Sequence, residues 1–380
     1  MTIKKILATL LALSMTLSLA ACGGSSTQTG TTQSEQTEQA EEASSVPDES
    51  ESDESAPDET TAENTETETP ADETEASEPA EKVDINLAAL SGPTALGMLD
   101  LLEKNENGEA ANNYNVTIAT APDEVTGKII SGELDIAAVP TNVASPLYNK
   151  TEGQVQIAAL NTMGVLYVLE TGDTIQSVAD LAGKTIYATG QGSTPEYALN
   201  LVLEKNGLTP GEDVEIVFAA DNAEIAPLLA SGEAQVALLP QPFVTSVLTQ
   251  NENVRVALDL TEEWDKAVNG ESGLTMGCVV VRKEFAEQNK EALDRFLDEY
   301  KQSVETVTSE EGLAHAAELA EHYNIIKAAV AEKAIPECNI VFVEGDEMQQ
   351  IAGGFLQVLY DANPQAVGGQ LPNDDFYYKR

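Results

Sequence analysis

The chain has 380 residues, and its 65 acidic residues outnumber its 19 basic residues, which gives a net charge of −46 at pH 7. Nonspecific binding to nucleic acid needs clustered Lys and Arg, so this charge excludes that class of partner. The length is sufficient for two lobes with separate hydrophobic cores.

The first residues have the pattern of a secretory signal. Lys4 and Lys5 precede an apolar stretch, residues 6–19, that is too short to span a bilayer comfortably. The sequence LAAC that ends at Cys22 resembles the bacterial lipobox. The resemblance implies cleavage before Cys22 and attachment of two or three acyl chains there, which would anchor the protein stably in a membrane. The alternative is a plain signal peptide with an incidental cysteine.

Residues 23–82 are a segment of low complexity. Ser, Thr, Glu, Ala and Pro dominate, 19 residues are acidic, and Val46 is the only large aliphatic side chain. Such a segment has nothing to bury and cannot offset its ordering entropy. We therefore predict a disordered, solvated tether with a reach on the order of 40 Å.

From Val83 onward, apolar strand-like runs alternate with helical patterns. The first predicted strands are VDINLAAL, NVTIATA and LDIAAV, and the helices that follow them are GPTALGMLDLLEKN, PDEVTGKIISG and PTNVASPLYNK. Nearly continuous apolar strands are typical of a parallel sheet that is covered on both faces. The pattern therefore predicts an α/β fold.

The same order of elements begins again near residue 184. Predicted strands KTIYATG, VEIVFAA and AQVALLP are followed by helices STPEYALNLVLEKNG, NAEIAPLLASG and QPFVTSVLTQ. Six residues of the first copy recur unchanged 100 positions later: Glu124, Ser131, Gly132, Glu133, Ala137 and Pro140. We interpret the repeat as two similar lobes, each a mainly parallel sheet flanked by helices, with a ligand cleft between them. The alternative is the generic likeness of any two βαβ units.

The remaining chain predicts a return to the first lobe. VRVALDLTEEW and LTMGCVVVRKEF have strand character, and the tail from Lys290 is mostly helical and predicted to pack on the first lobe. The predicted organisation is a signal peptide (1–21), a lipid-anchored linker (22–82), the first part of lobe 1 (83–170), lobe 2 (171–254), and the return to lobe 1 with the C-terminal helices (255–380). Cys278 and Cys338 lie in apolar runs; we favour two buried free thiols, and a disulfide is the alternative.

Four predicted helix starts follow strand ends, two in each lobe. Ligands of open parallel sheets bind beyond the carboxyl ends of the strands, where helix starts offer free N–H groups. The predicted ligand-binding residues at these starts are Ser91, Gly92, Pro93, Thr94, Thr141, Asn142, Gly192, Ser193, Thr194 and Gln241. Ordinary helix capping is the alternative for each.

Three further residues are candidates for the cleft. Asn161 and Thr162 are polar residues in an apolar strand context, and Trp264 is the only tryptophan. We predict that Asn161 and Thr162 point into the cleft. Trp264, close to the predicted return crossing, is a candidate stacking platform for a planar ring, but we favour an ordinary half-buried tryptophan.

Charged residues near the predicted cleft leave the charge of the ligand open. None of the four helix starts contains Lys or Arg, although Arg282 or Lys184 could reach the cleft through the fold. Glu196 and Asp221 would repel an anion if they faced inward, or favour a ligand with an amine or ring N–H. The first-turn position of Glu196 also suits an ordinary helix start.

The sequence offers little for metal binding or catalysis. His315 and His322 share a helix face about 10 Å apart, too few ligands for a dedicated metal site. No nucleophile–base pairing and no Walker-type loop stands out. We predict a protein that is not an enzyme and has no metal or cofactor.

The segments SGPTALGMLDLLE, SGELDIAAVPTNVA, GQGSTPEYALNLVLEKNGL and LLASGEAQVALLPQPFVT resemble the SsuA/THI5-like (NMT1) group of solute-binding lipoproteins of ABC importers. The resemblance extends from Val83 to about Asn363. It implies the periplasmic-binding-protein-like type II fold and a monomer anchored at the extracytoplasmic face of the cell membrane. Such a protein captures a small organic solute of the nitrate, sulfonate, taurine or pyrimidine-precursor class and delivers it to an ABC permease with its ATPase. The alternatives are a ligand-sensing or adhesion lipoprotein and, less consistent with Cys22, a cofactor-biosynthesis enzyme on the same fold.

Overall fold

The computed structural model describes residues 81–380. The predicted signal peptide, Cys22 and nearly all of the predicted tether lie outside the described residues. Within them, two β-sheets of six and five strands are flanked by helices, so the predicted two-sheet α/β fold is confirmed.

The first sheet has the strand order β11-β4-β10-β3-β1-β2. Strands β1, β2 and β3 are parallel to one another, and β10 and β11 are antiparallel to their neighbours. The bounds are β1 Asp84–Leu90, β2 Asn113–Ala119, β3 Ile136–Pro140, β4 Val155–Met163, β10 Thr275–Arg282 and β11 Ile340–Val343.

The second sheet has the order β7-β6-β8-β5-β9. Its parallel strands are β6, β7 and β8, and β5 is antiparallel to both of its neighbours. The bounds are β5 Leu166–Thr171, β6 Thr185–Ala188, β7 Glu215–Phe218, β8 Val236–Pro240 and β9 Val254–Asp259.

The two sheets have matching topology, as the sequence repeat predicts. In the first sheet β1 lies between β2 and β3, and in the second sheet β6 lies between β7 and β8. On the other side of β3 and of β8 lies an antiparallel strand, β10 and β5 respectively. The repeated helices also end alike, because Gly132 and Gly232 are left-handed C-caps with φ of 80° and 79°. We call the two sheets with their helices the first lobe and the second lobe.

The chain changes sheet at positions that differ from the predicted boundaries. Strand β5 belongs to the second sheet, so the first crossing, residues 163–166, comes before the predicted boundary at 170. Strand β9 also belongs to the second sheet, and the segment LTEEW is part of a helix. The return crossing therefore runs from Asp259 to Thr275, after the predicted boundary at 254.

The helices follow the predicted order, but the predicted first helix is interrupted at Gly97–Met98. The last helix continues through Gly353 and Gly354, as its helical pattern of apolar residues predicts. The bounds are α1 Pro93–Leu96, α2 Leu99–Glu106, α3 Pro122–Ser131, α4 Thr141–Lys150, α5 Thr194–Lys205, α6 Asn222–Ser231, α7 Phe243–Gln250, α8 Leu260–Ala267, α9 Lys283–Gln288, α10 Lys290–Thr308, α11 Leu313–His322, α12 Ala328–Ala334 and α13 Gly345–Ala362.

The C-terminal helices pack on the first lobe, as predicted, but they also reach the second. Helices α10 and α11 contact α2, whereas α13 contacts β4 and also α5 of the second lobe. One hydrophobic cluster runs from the first sheet through α8 and α13 into the second sheet. The two lobes thus share a core on this side. The Tyr197 hydroxyl adds a polar link there, since it accepts a hydrogen bond of 2.9 Å from Asn363 Nδ2.

Cys278 and Cys338 are free thiols, both fully buried, which agrees with the interpretation that we favour. Burial in apolar surroundings raises the pKa of each thiol to about 12. Both cysteines are therefore packing residues at neutral pH.

Candidate functional site

The four predicted helix starts lie at the carboxyl ends of adjacent parallel strands. Helices α1 and α4 follow β1 and β3, which pair directly, with Ala89 opposite Ala138. Helices α5 and α7 follow β6 and β8, which also pair directly, with Tyr187 opposite Ala237. Each lobe therefore presents two neighbouring starts at one edge of its sheet, as the repeat predicts. We call these four segments (residues 91–94, 140–142, 192–195 and 240–242) the tips.

The end of β4 contacts a tip of the first lobe, and the first crossing that follows it contacts a tip of the second. Asn161 Nδ2 donates a 3.4 Å hydrogen bond to the Thr94 carbonyl oxygen. Four residues later, the Val165 carbonyl accepts a 3.0 Å hydrogen bond from the Gln241 backbone N–H. Tips from both lobes therefore converge on residues 161–165.

The end of the return crossing, Thr275, lies beside residues 162–163 and the start of α4. Thr275 lies opposite Met163 in the sheet, and its hydroxyl is 3.0 Å from the Thr141 hydroxyl and 3.5 Å from the Thr162 carbonyl oxygen. The start of α4 is therefore held by Thr275 at the end of the return crossing, as α1 is held by Asn161 near the end of β4. Thr275 was not identified as a site residue from the sequence, because there it is a single polar residue before an apolar run. Its pairing with Met163 across the sheet cannot be recognised from neighbouring residues.

Several predicted site residues are buried and face protein instead of open space. Thr141, Asn161 and Thr162 are at most 1% exposed, and Thr162 Oγ1 donates to Asn161 Oδ1. Gly277 makes room for this arrangement, because a Cβ there would overlap Asn161 Oδ1. In this structure these three side chains hold the tips in place. Thr194 and Gln241, at 4% exposed, are also buried, and Gln241 Oε1 accepts hydrogen bonds from the Thr245 N–H and hydroxyl.

The accessible part of the tips is rich in glycine and small polar residues. Ser91 and Gly192 are exposed, whereas Gly92, Pro93, Thr94, Asn142 and Ser193 are partly exposed. Gly92 and Gly192 have φ of 125° and 73°, and a Cβ on either would meet no atom within 4 Å. These two glycines thus expose backbone to the space in front of the tips.

The hydroxyls at the tips, and two carboxylates near them, make local hydrogen bonds. Thr94 Oγ1 donates to the Leu90 carbonyl at 2.8 Å, and Ser193 Oγ donates to the Gly190 carbonyl at 2.7 Å. Glu196 accepts from the Gly192 N–H at 2.5 Å, and Asp221 caps α6 by accepting from the Ala223 N–H at 2.9 Å. Both carboxylates therefore act as helix-start caps in this structure.

The structure corrects the prediction for Trp264. Its indole is fully buried in the cluster shared by the lobes, 6.0 Å between ring centroids from Phe355, and its Nε1–H donates to the Ser272 carbonyl at 3.1 Å. A side chain with no exposed surface offers no face for stacking on a ligand. Its apolar ring joins α8 to α13 across the lobes, so we leave it out of the site.

Arg282 and Lys184 also lie away from the tips. Arg282 is at the far end of β10, where its guanidinium pairs with Asp135 and Glu284 at 2.9 and 3.0 Å. Lys184 precedes β6, at the edge of the second sheet opposite its tips, and donates to the Thr174 hydroxyl. Neither supplies a positive charge to the tips.

A separate cavity of about 540 Å³ lies between the lobes, among residues of α5, α8 and α13. Its α5 residues, Leu201, Glu204 and Lys205, belong to the C-terminal half of that helix, whereas the tip is at its N-terminal end. At 1.5 Å rise per residue, the two places are more than about 10 Å apart along α5. The cavity is thus distinct from the tips.

Two observations concern membrane spans and metal sites in residues 81–380. No helix within this range has the length and apolar character needed to cross a bilayer. Across the same residues, no group of three or more His, Cys, Asp or Glu is placed to hold a metal ion.

The same fold occurs in solved structures of ABC-transporter proteins. An ABC transporter protein from Parabacteroides distasonis is 24% identical, with a TM-score of 0.66, over 78% of this chain and 99% of that one. The periplasmic aliphatic sulphonate binding protein SsuA from Escherichia coli is 15% identical, with a TM-score of 0.60, over 78% and 92%. The ligand-binding component of an ABC-type import system from Staphylococcus aureus, solved with zinc bound, is 14% identical, with a TM-score of 0.58, over 78% and 97%. At these identities the likeness shows the fold alone.

A comparison with curated proteins found no match. A family model does match: residues 100–332 fit the model described as ABC transporter, phosphonate, periplasmic substrate-binding protein. The match covers more than half of the chain and includes three of the four tips. The chain therefore belongs to this family of periplasmic substrate-binding proteins of ABC transporters.

Proposed function

We propose that this protein captures a small solute between the tips of its two lobes and delivers it to a membrane permease with an associated ATPase. The observation that carries the proposal is the convergence of tips from both lobes on residues 161–165 in a chain of the substrate-binding family. A solute held by both lobes favours the closed arrangement, because it contacts both sides only there. No bond is made or broken in this function.

The ligand class that we infer is a small phosphonate or sulfonate. The family model is described as phosphonate-binding, and the E. coli relative of the same fold is a sulphonate-binding protein. The tips contain no Lys or Arg, so the oxyanion would be held by backbone N–H groups at the helix starts and by the neutral, partly exposed side chain of Asn142. Binding by neutral donors at fixed positions selects for shape and hydrogen-bond pattern.

Calorimetric titration of the purified full-length protein with a panel of solutes tests this class. The panel contains methylphosphonate, ethanesulfonate, taurine, nitrate and a 4-amino-pyrimidine. We expect the phosphonate or the sulfonate to bind most tightly and, at 100 times its Kd, to raise the free energy of unfolding by about 2.7 kcal/mol. Exclusive binding of the pyrimidine would contradict the oxyanion class. Binding of no panel member would contradict solute capture of this kind.

We also propose that Cys22 carries the lipid anchor, a position outside the described residues. The variant Cys22→Ala should move the protein from the membrane fraction to the soluble fraction, because the sulfur that carries the acyl chains is absent. Fractionation followed by immunoblotting measures the shift, and Ser25→Ala is the control that leaves the sulfur in place. Membrane retention of Cys22→Ala would show that something else holds the protein there.

A further inference from the structure

The Tyr300 hydroxyl is an unusual group in the first lobe. Tyr300 is fully buried in α10, and its hydroxyl has no hydrogen-bond partner among residues 81–380. Buried hydroxyls almost always have a partner, because an unpaired one loses its hydration without compensation. The exception therefore calls for a physical reason.

The position of this hydroxyl links it to a tip. A Cβ built on Gly97, at the end of α1, would lie 3.1 Å from the Tyr300 hydroxyl oxygen, so a side chain at this position would crowd the hydroxyl. The ring itself is held by Phe296, stacked at 5.8 Å between centroids, and by Phe342 at 5.9 Å. A fixed ring thus points its hydroxyl at the one-turn helix that carries Gly92 and Thr94.

Asn161 holds the same helix, but weakly. Its Nδ2 reaches the Thr94 carbonyl at 3.4 Å, which is long for an N–H···O hydrogen bond. Burial raises the pKa of the Tyr300 phenol, and the Asn161 amide opposes that rise from nearby, although the two groups do not have the geometry of a hydrogen bond. Helix α1 therefore contacts two polar side chains. Asn161 makes a long hydrogen bond to it, and Tyr300 has a hydroxyl without a hydrogen-bond partner among residues 81–380.

We propose that Asn161 and Tyr300 are positioning residues of the ligand site. Together they support α1 from below. When a bound ligand moves α1, the Tyr300 hydroxyl forms the hydrogen bond that it lacks in this structure. The proposal rests on the proposed function, since it needs a solute that contacts the tip at Gly92 and Thr94. Neither side chain touches the solute in this account.

The variant Tyr300→Phe tests the proposal, because it removes only the hydroxyl. Without ligand, the denaturation midpoint should be unchanged or higher, since no hydrogen bond is lost and an unpaired group is removed. The affinity for the panel member that binds best to the wild type should fall about fivefold, the worth of one neutral hydrogen bond. Tyr377→Phe is the matched control: Tyr377 is also buried but packs beside β4 and α13 and should bind as the wild type does.

Three outcomes distinguish the possibilities. An affinity of Tyr300→Phe within twofold of the wild type would overturn the positioning role and leave solute capture intact. A lower midpoint without ligand would show that the hydroxyl has an ordinary structural role, and this too would overturn the proposal. Binding of no panel member by the wild type would overturn both proposals, because α1 would have no solute to respond to.

Discussion

Replacing Gly92 and Gly192 together with phenylalanine should weaken solute binding at least about 100-fold. Both side chains would enter the open space in front of the tips, where the backbone of each lobe is accessible. They would cover the N–H groups of their tips and prevent the lobes from approaching one solute. Both positions have positive φ, so some strain is added, on the order of 1–3 kcal/mol each. Titration with the best panel member measures the loss.

A matched control separates the effect on the site from the effect on the backbone. Gly108 has φ of 74° and open space around its Cβ, as Gly192 does, but lies in the turn after α2. Gly108→Phe should bear similar strain and bind normally. Unchanged binding in the variant with both tip substitutions, with both lobes folded, would place the solute elsewhere on the molecule.

Trp264→Ala should lower the free energy of unfolding by about 3–5 kcal/mol. The substitution empties the centre of the cluster that the lobes share and leaves the Ser272 carbonyl without its indole donor. Chemical denaturation followed by circular dichroism measures the change. Trp264→Phe, which keeps an aromatic ring and loses the N–H, should cost less.

The same variants test the correction that the structure makes. If Trp264→Phe lost solute affinity while its stability stayed near that of the wild type, the indole would have a role in binding after all. A parallel loss of stability in both variants, with binding retained by the folded fraction, is the result that we expect of a core residue.

The sequence predicted the repeated lobes well because their signals are local. Helix stops such as Gly132 and Gly232 and the apolar strands before them are encoded within a few residues. The position of the crossings was predicted less well. Strands β5 and β9 are apolar runs like the others, and only their pairing with β8 and with each other assigns them to the second sheet. Pairing between distant segments has no signature in a single sequence.

In the candidate site, too, locally encoded features were predicted and features that depend on distant residues were not. The tips were predicted from glycines, prolines and hydroxyl residues at strand ends, a pattern readable in order along the chain. The burial of Asn161 and Thr162 was not predicted, because it depends on Gly277, more than 100 residues later, which has no side chain in their way. Trp264 was a candidate for the cleft because it is the only tryptophan and lies near the predicted return crossing, whereas its position between α8 and α13 depends on packing across the lobes.

The placement of β10 has a consequence for how the chain is synthesised. This strand lies between β3 and β4 in the first sheet, yet it follows the whole of the second lobe in the chain. During translation the first sheet remains in two unjoined parts until Arg282 has left the ribosome, whereas the five strands of the second sheet are already complete at Asp259. The inserted lobe can therefore mature first, and a nascent chain stalled before β10 would expose the unpaired edges of β3 and β4 to aggregation or to a chaperone.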